Sequence, residues 1–346
     1  MIIIMEPRAT QEQIDRVVKA MENKGFRINI NTGDVMTVIA AIGDKRLMQP
    51  ASIASFDGVR EVKLIQEPFK LASRESQNDD TVIDLGKGVK IGGSQRPVVM
   101  AGPCSVEENF DGLLEIAKSV KASGAKILRG GAFKPRTSPY EFQGLEEVGL
   151  KYLSQASKET GLLIVTEVMD TNTVELVAQY TDIMQVGARN MQNFKLLKAL
   201  GEIGKPVMLK RGPAATIREF LLAAEHIMYN GNPNVILCER GIKGIDSQYS
   251  RNTLDIASIP IIKKYSHLPI IVDPSHATGR RYLIEPMSKA SLVAGAHGLM
   301  VEVHNDPDNA LCDGAQSLTL NMFDDMMQTL NKVMDILGYE QDKATV

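Results

Sequence analysis

The sequence predicts an α/β protein in which a (β/α)8 TIM barrel follows a small ferredoxin-like α+β domain. From residue 97 onward, eight short apolar runs alternate with helix-length segments, the pattern of βα units around a parallel sheet. Before them, residues 1–67 have the pattern strand, helix, strand, strand, helix, strand, which is typical of a ferredoxin-like unit. A doubly wound open sheet is the alternative for the second part. It needs a switch point and usually has fewer strands, so the barrel is favoured.

The predicted first domain contains one clear amphipathic helix. In TQEQIDRVVKAMENKG, residues 10–25, Thr10 and Gln13 stand at capping-box spacing, four apolar residues share one face, and Gly25 ends the helix. The runs IIIM, FRINI, TVIAAIG and REVKLIQ supply four strands around it. Residues 68–80 are polar and aperiodic, which predicts a linker. We expect residues 81–346 to form the barrel domain, beginning with a hairpin around Gly86 and Gly88.

The composition excludes several classes of protein. The chain has 346 residues and a net charge of −3, so it carries no overall basic field for nucleic acid or an anionic membrane. Three cysteines, Cys104, Cys238 and Cys312, make an odd number, which argues against a disulfide framework and for a reducing compartment. The opening MIIIMEP has neither a basic region nor a long apolar run, so it predicts no signal peptide and no membrane anchor. We therefore expect a cytoplasmic protein.

Positively charged residues follow many of the predicted barrel strands. The segment RGGAFKPRTSP, residues 129–139, places three cations within eight positions of a stretch without helical period. Active sites of barrels gather at the carboxyl ends of the strands, so we expect an anion pocket there that holds more than one phosphate or carboxylate. The alternative is that some of these cations pair with the strand-end carboxylates of Glu167, Glu239 or Asp273. The six cations of the predicted pocket are Arg129, Lys134, Arg136, Arg189, Lys210 and Arg240.

A second set of strand-end residues suits a metal ion. Cys104, His276, Glu302 and Asp313 offer a thiolate, an imidazole and two carboxylates. These donors favour Mn²⁺, Fe²⁺, Co²⁺ or Zn²⁺ over Mg²⁺, which avoids sulfur. Each residue also has an ordinary structural explanation. The cysteine suits a buried apolar position, the histidine a strand-end hydrogen bond, Glu302 an ion pair with a rim arginine, and Asp313 a turn before glycine.

Eight motifs together resemble one known family. They occur in the family's order at barrel spacing over residues 97–338 and resemble 3-deoxy-D-arabino-heptulosonate 7-phosphate (DAHP) synthases of the shorter-barrel subfamily. The first domain is similar to the ferredoxin-like, ACT-like regulatory unit that some members of that subfamily carry. The motifs are AGPCSVE, LRGGAFKPRTSPYEFQG, VTEV, QVGARNMQNF, VMLKRG, LCERG, DPSHATGRR and GLMVEVH.

The resemblance implies a reaction and a role for each motif residue. The reaction is an aldol-like condensation of phosphoenolpyruvate with erythrose 4-phosphate and water, which releases phosphate in the first step of the shikimate pathway. The metal ligands would be Cys104, His276, Glu302 and Asp313. Proton transfer would fall to Lys134, His276 or a metal-bound water. The phosphoenolpyruvate site would consist of Arg129, Lys134, Ala188, Arg189, Lys210 and Arg240, and the erythrose 4-phosphate site of Arg136, Thr137 and Ser138.

Two other functions compete with this interpretation. The synthase of 3-deoxy-D-manno-octulosonate 8-phosphate shares the barrel and phosphoenolpyruvate, but typically has Asn-Arg-Ser-Ser where this chain has KPRTS. An amino-acid sensor with a vestigial barrel is the remaining alternative, against which the full set of cations and metal ligands argues. The resemblance further implies a homotetramer, and feedback inhibition by tyrosine or phenylalanine that binds residues 1–67 and covers the barrel mouth.

Overall fold

The computed structural model describes residues 1–32, 36–43, 49–63, 68–135, 138 and 140–340. Two compact units make up the chain. The first contains residues 1–80 together with residues 264–267, and the second contains the rest. Arg136 and Thr137, predicted for the sugar phosphate, lie outside the described residues. Among the described helices, none has the length and apolar character needed to cross a membrane.

The first unit has the predicted ferredoxin-like order. Its four strands pair antiparallel in the order β2-β3-β1-β4. Thr10 and Gln13 form the capping box that begins α1, and the apolar face of this helix packs on the sheet. The order and type of its elements confirm the prediction. The elements are β1 (Ile2–Met5), α1 (Gln11–Glu22), β2 (Arg27–Thr32), β3 (Thr37–Ile42), α2 (Pro50–Ala54) and β4 (Val59–Lys63).

The second unit is the predicted closed barrel. After a short hairpin of β5 (Ile83–Asp84) and β6 (Lys90–Ile91), eight strands pair parallel in chain order, and the last pairs with the first. Each of the eight apolar runs singled out in the sequence forms one of these strands. They are β7 (Val98–Gly102), β8 (Ile127–Arg129), β9 (Leu163–Val168), β10 (Ile183–Val186), β11 (Val207–Lys210), β12 (Val235–Glu239), β13 (Ile270–Val272) and β14 (Gly298–Glu302).

Helices follow the strands, as βα units require. One additional short helix, α9, comes directly after β13 and carries a predicted site residue. The other helices of this unit each follow a different strand. The helices are α3 (Phe110–Ala122), α4 (Glu146–Thr160), α5 (Val174–Tyr180), α6 (Phe194–Ile203), α7 (Ile217–Tyr229), α8 (Ser258–Tyr265), α9 (Pro274–Thr278), α10 (Arg281–Val293) and α11 (Leu320–Ile336).

The hairpin of β5 and β6 closes the amino-terminal end of the barrel. Ile83, Leu85 and Ile91 belong to the same buried cluster as apolar side chains from the eight strands, several of them near the strand starts. Full burial of an isoleucine side chain contributes about 1.5–3 kcal/mol. The closed apolar end stabilises the barrel, and the opposite end is left to the loops that carry the predicted site residues.

Candidate metal and anion site

Four side chains meet at the carboxyl ends of the barrel strands. Cys104 follows β7, Glu302 ends β14, His276 lies on α9, and Asp313 precedes a short 3-10 turn at Gly314–Gln316. One ligand atom from each residue lies within 4.8 Å of the ligand atoms of the others. These are the four residues singled out in the sequence as metal ligands. Two hundred and nine positions separate Cys104 from Asp313 along the chain, and barrel closure brings them together.

His276 is held in the orientation that a metal ligand needs. Asp273 caps α9 by accepting a hydrogen bond from the backbone N–H of His276, and its Oδ2 lies 2.7 Å from Nδ1 of the same residue. Nε2 then points to Glu302 Oε1 at 3.2 Å. Burial lowers the pKa of His276, against the opposing effect of Asp273 and Glu302, and a lowered pKa favours the neutral imidazole whose Nε2 can bind a metal. A carboxylate behind a ligating histidine is the usual arrangement at metal sites.

Glu302 is fully buried and charged. Burial alone would raise its pKa, but the attraction of His276 in its protonated form and of Arg129 outweighs burial and lowers it. Arg129 Nη1 donates to Glu302 Oε1 at 2.9 Å, and the side-chain amide of Gln316 donates to Oε2. Both carboxylate oxygens therefore have a partner. Arg129 supplies the positive charge without which a buried carboxylate would be costly.

The two remaining ligands lie close to each other. Cys104 Sγ is 3.3 Å from Asp313 Oδ2 and 3.1 Å from Lys134 Nζ. A hydrogen bond with Cys312, together with burial, raises the pKa of Cys104, so its thiol is protonated until a metal displaces the proton. Burial would raise the pKa of Asp313, but His276 and Arg251 lower it to about 2.

This donor set fits a divalent transition metal. It combines one sulfur, one imidazole nitrogen and two carboxylates, all within 4.8 Å of one another. Zn²⁺, Fe²⁺, Co²⁺ and Mn²⁺ accept such mixed sets, whereas Mg²⁺ prefers oxygen alone. The alternative explanation for Glu302, an ion pair with a rim arginine, is confirmed, since Arg129 contacts this carboxylate.

The five predicted cations that the structure describes divide into two groups. Arg129 and Lys210 are 3% exposed and paired with carboxylates. Lys210 pairs with Asp273, one of the three carboxylates named in the alternative, whereas Arg129 pairs with Glu302. Lys210 Nζ lies 2.6 Å from Asp273 Oδ2, the atom that also contacts His276. Burial would raise the pKa of Asp273, but His276 and Lys210 hold it well below its usual range. Lys210 is thereby joined to the metal-ligand group through one shared oxygen.

The second group consists of Arg189, Arg240 and Lys134. Arg189 Nη1 donates to the backbone carbonyl of Pro135 at 2.6 Å, which ties the loop after β10 to the segment after β8. Arg240 Nε is buried without a hydrogen-bond partner. Across the residues that the structure describes, none of the three forms an ion pair with a carboxylate. Their positive charge is therefore available to an anionic ligand.

Two other predicted positions are described but less informative. Ala188 opens a 3-10 turn, Ala188–Asn190, which contains Arg189 and follows β10. Ser138 is half-buried, and its hydroxyl accepts a hydrogen bond from the backbone N–H of Tyr140 at 3.3 Å. This contact is local and brings Ser138 to none of the other predicted residues.

Several contacts of the site were not predicted from the sequence. Arg211 follows β11 directly after Lys210, but donates to Glu239 at 2.9 Å and to Asp255 at 2.8 Å, so it is an internal structural cation. Gln316 and Arg251 support the two carboxylate ligands, and no local motif distinguishes them from other polar loop residues. The Sγ atom of Cys312 lies only 3.0 Å from that of Cys104. The position of Cys312 next to Asp313 is the one sequence signal that placed Cys312 near this site.

Comparisons with known protein families cover most of the chain. Residues 79–338 match the DAHP synthetase I family, and residues 1–67 match the DAHP synthase ferredoxin-like domain. A phospho-2-dehydro-3-deoxyheptonate aldolase of Thermotoga maritima is 50% identical over 338 residues, which cover 98% of this chain and 99% of that protein. A 2-dehydro-3-deoxyphosphooctonate aldolase of Syntrophobacter fumaroxidans is 33% identical over 265 residues, with 70% of this chain and 88% of that protein covered.

Solved structures give the same similarity at the level of the fold. The crystal structure of the Thermotoga maritima phospho-2-dehydro-3-deoxyheptonate aldolase (DAHP synthase) superimposes with a TM-score of 0.78 at 49% identity, covering 99% of each chain. A truncated form of the 3-deoxy-D-arabino-heptulosonate 7-phosphate synthase from that organism has a TM-score of 0.73 at 49% identity. It covers 79% of this chain and 98% of its own.

Proposed function

The chain belongs to the DAHP synthetase I family, and from that premise we propose that it is a metal-dependent, feedback-regulated DAHP synthase. The activity joins phosphoenolpyruvate to erythrose 4-phosphate and water, and releases DAHP and inorganic phosphate as the first step of the shikimate pathway. The observation that carries the proposal is the convergence of four metal-type ligand atoms within 4.8 Å, with Lys134 beside them. A site for metal and anions together suits a reaction between two phosphorylated substrates.

Cys104, His276, Glu302 and Asp313 would hold one divalent ion. Bound there, the ion would supply Lewis acidity that polarises the aldehyde of erythrose 4-phosphate. The surrounding residues prepare the ligands. Asp273 orients the imidazole of His276, and Arg129 offsets the charge of Glu302.

Arg189 and Arg240 would bind the phosphate of phosphoenolpyruvate. Their lack of a carboxylate partner among the described residues supports this role, because a bidentate guanidinium contact needs free N–H groups. The same arginines would stabilise the negative charge on phosphate as it departs. Ala188, at the start of the turn that carries Arg189, would line this subsite.

Arg129, Lys134 and Lys210 would surround the carboxylate of phosphoenolpyruvate. Lys210 gives one N–H to Asp273 and keeps two for a ligand, and Lys134 Nζ contacts Cys104. Lys134 is therefore our candidate for the group that donates or removes a proton at the reacting atoms, with His276 as its neighbour across the metal ligands. The segment that follows would provide Arg136, Thr137 and Ser138 for the phosphate of the sugar.

Regulation and location complete the proposal. Residues 1–67 would form an ACT-like regulatory domain, residues 68–80 a linker and residues 81–346 the catalytic domain. Tyrosine or phenylalanine would bind the first domain and lower the activity. The match of residues 1–67 to the ferredoxin-like domain of DAHP synthases supports this division. We further propose a cytoplasmic homotetramer.

Octulosonate synthesis is the second candidate, because a relative named 2-dehydro-3-deoxyphosphooctonate aldolase matches 70% of this chain at 33% identity. The two sugars separate the candidates. We would follow the loss of the enol absorbance of phosphoenolpyruvate with Mn²⁺ and either erythrose 4-phosphate or arabinose 5-phosphate. We expect loss with the four-carbon sugar alone, since KPRTS departs from the octulosonate loop. Loss with arabinose 5-phosphate alone would assign the second candidate, and loss with neither would contradict both.

A further inference from the structure

Glu239 ends β12 and is fully buried at the carboxyl end of the barrel, yet it is not one of the four metal-type ligands. Its Oε1 accepts a hydrogen bond from the backbone N–H of Gly241 at 2.7 Å, and its Oε2 accepts one from Arg211 Nη1 at 2.9 Å. An apolar side chain at this position would avoid the cost of burying a charge. The function proposed above leaves this carboxylate unexplained.

We propose that Glu239 is a positioning residue that fixes the backbone of Arg240, so that the guanidinium of Arg240 meets the phosphate of phosphoenolpyruvate. The role of Arg240 in this inference rests on the proposed function. The peptide group before Arg240 is held by the sheet, because the carbonyl of Glu239 accepts from the backbone N–H of Asp273 at 2.8 Å. The peptide group after Arg240 is held by the side chain of Glu239, through the N–H of Gly241. A hydrogen bond from N–H to a carboxylate is stronger than one to a neutral acceptor.

Arg211 holds the carboxylate of Glu239 in place. Its Nη1 also donates to Asp255 at 2.8 Å, and its Nε donates to the backbone carbonyl of Ala215 at 3.0 Å. The hydroxyl of Ser258 lies 3.5 Å from Glu239 Oε2. These partners fix the carboxylate from one side, so its other oxygen faces the N–H of the turn. The structural cation therefore acts on Arg240 indirectly.

The turn after Arg240 is also in close contact with α9. Gly241 has a φ of +90°, in the left-handed region that favours glycine. A Cβ at this position would lie 2.9 Å from the Cα of Ala277, the neighbour of His276 on α9. The backbone of the turn therefore packs directly against the helix that carries a metal-type ligand. A displaced turn would move Arg240 relative to those ligands.

Arg240 depends on its backbone for orientation because its side chain has few fixed contacts. Among the residues that the structure describes, no carboxylate pairs with it, and its Nε is buried without a hydrogen-bond partner. An arginine in an ion pair is already ordered, whereas an unpaired one has to be ordered when the ligand binds, which costs affinity. A backbone fixed by Glu239 reduces that cost, and we expect the reduction to appear as tighter binding of phosphoenolpyruvate.

The test measures the affinity of the full chain for phosphoenolpyruvate by titration calorimetry. Glu239→Gln keeps the shape of the side chain, but its amide has one oxygen for two donors, and the charged Arg211 competes for it more strongly than Gly241 does. We expect Glu239→Gln to weaken the affinity about tenfold, because the bond that fixes the turn is lost. Glu239→Met, which has no strong acceptor, is the second variant and should have the same effect. Arg211 keeps Asp255 as a partner in both variants, so both should fold.

Asp255→Asn is the matched control. It weakens the same charge network through Arg211 but leaves the hydrogen bond between Gly241 and Glu239 in place. It should lower the temperature of thermal unfolding, whereas the affinity for phosphoenolpyruvate should stay within about twofold of the wild type. Equal weakening in Asp255→Asn and Glu239→Gln would overturn the inference, because a general loss of stability would explain both.

A double-mutant cycle with Arg240→Ala tests whether Glu239 acts through Arg240. In the Arg240→Ala background, Glu239→Gln should cause no further loss of affinity. Additive losses would overturn the inference, because Glu239 would then act independently of Arg240. If Arg240→Ala weakens the affinity and neither Glu239 variant does, the positioning role is wrong and the proposed function stands. If Arg240→Ala itself leaves the affinity unchanged, the proposed phosphate contact of Arg240 is wrong, and this inference falls with it.

Discussion

The two ends of the barrel use the same eight strands for opposite purposes. At the amino-terminal end, a hairpin and the strand starts bury an apolar cluster that includes Ile83 and Ile91. At the carboxyl end, the buried groups are charged, and Lys210 with Asp273 is one of the pairs. Burial of charges costs free energy that their pairing only partly recovers, whereas apolar burial is favourable throughout. The comparison indicates that one end stabilises the fold and the other end is maintained for chemistry.

A similar difference exists among the cations at the carboxyl end. Arg129 and Lys210 are buried and balanced by carboxylates, whereas Arg189 and Arg240 lack such partners within the described ranges. Balanced cations are needed to keep Glu302 and Asp273 charged in the interior. Unbalanced cations are what an anionic substrate requires. Changes at the two ends of the barrel, and at the two kinds of cation, should therefore have separable effects.

The largest effect is expected at Cys104. Cys104→Ser should fold but lose both bound metal and at least about a thousandfold in kcat, because an alcohol is a poor ligand for these ions at neutral pH. Metal content by elemental analysis and kcat in Mn²⁺ buffer are measured together. Cys238→Ala, which removes a buried thiol from β12, is the control and should keep its metal. Full activity of Cys104→Ser would contradict the site.

The next effect concerns a cation without a carboxylate partner. Arg240→Ala should weaken the use of phosphoenolpyruvate about a hundredfold or more in kcat/KM, since it removes a charged contact to phosphate. Thermal stability should hardly change, because no ion pair of the described chain is lost. Arg218→Ala, on the exposed surface of α7, is the matched control. A large loss of stability with unchanged kinetics would place Arg240 among the structural cations.

The opposite result is expected at the apolar end. Ile91→Ala should lower the free energy of unfolding by about 2–4 kcal/mol, the usual cost of a truncated and fully buried isoleucine. Activity of the remaining folded protein should stay at the wild-type level. Val82→Ala, at an exposed position of the same segment, should change stability by less than about 0.5 kcal/mol. Denaturant unfolding and kcat are the measurements, and a loss of kcat in Ile91→Ala would show that the two ends are not separable.

A smaller and more selective effect is expected at Arg136. Arg136→Ala should raise the KM for erythrose 4-phosphate about tenfold while leaving the KM for phosphoenolpyruvate nearly unchanged, because the two phosphates would have separate cations. Initial rates with each substrate varied in turn provide the comparison. Equal losses for both substrates would mean that the division of the anion pocket is wrong.

The pH dependence of metal binding should be the smallest effect. The pKa of Cys104 is raised, so its thiol must release a proton when the metal binds, and affinity should rise about tenfold per pH unit near neutrality. The pKa of His276 is lowered, so the imidazole releases no proton until the solution is acidic, where the slope should steepen. Titration of Mn²⁺ in two buffers of different ionisation enthalpy measures the released proton. Affinity that does not change with pH would contradict a thiolate ligand.

Much of this arrangement could be predicted from the sequence because the barrel repeats. Each apolar run ends at the same face of a parallel sheet, so residues such as Cys104 and Glu302 could be placed together from their positions after strands. Which strand-end cation contacts which carboxylate could not be predicted in this way. Lys210 and Arg211 are neighbours in one motif, yet one contacts Asp273 and the other Glu239, because successive side chains point in different directions.

The contacts of the long loops were also beyond sequence reasoning. Cys312 approaches Cys104 because its loop returns over the barrel mouth, and no local spacing encodes such a return. Gln316 supports Glu302 for the same reason. The contacts of these two residues depend on the tertiary structure, and no hydrophobic period or local motif predicts them.

In the function proposed above, one divalent metal ion at the carboxyl end of the barrel is required for condensation. The most direct measurement is a titration of Mn²⁺ into chelator-stripped enzyme while the consumption of phosphoenolpyruvate with erythrose 4-phosphate is followed. We expect no consumption at the start and a linear recovery that ends at about one equivalent of metal per chain. Full activity of the stripped enzyme, or recovery without a stoichiometric end point, would contradict it.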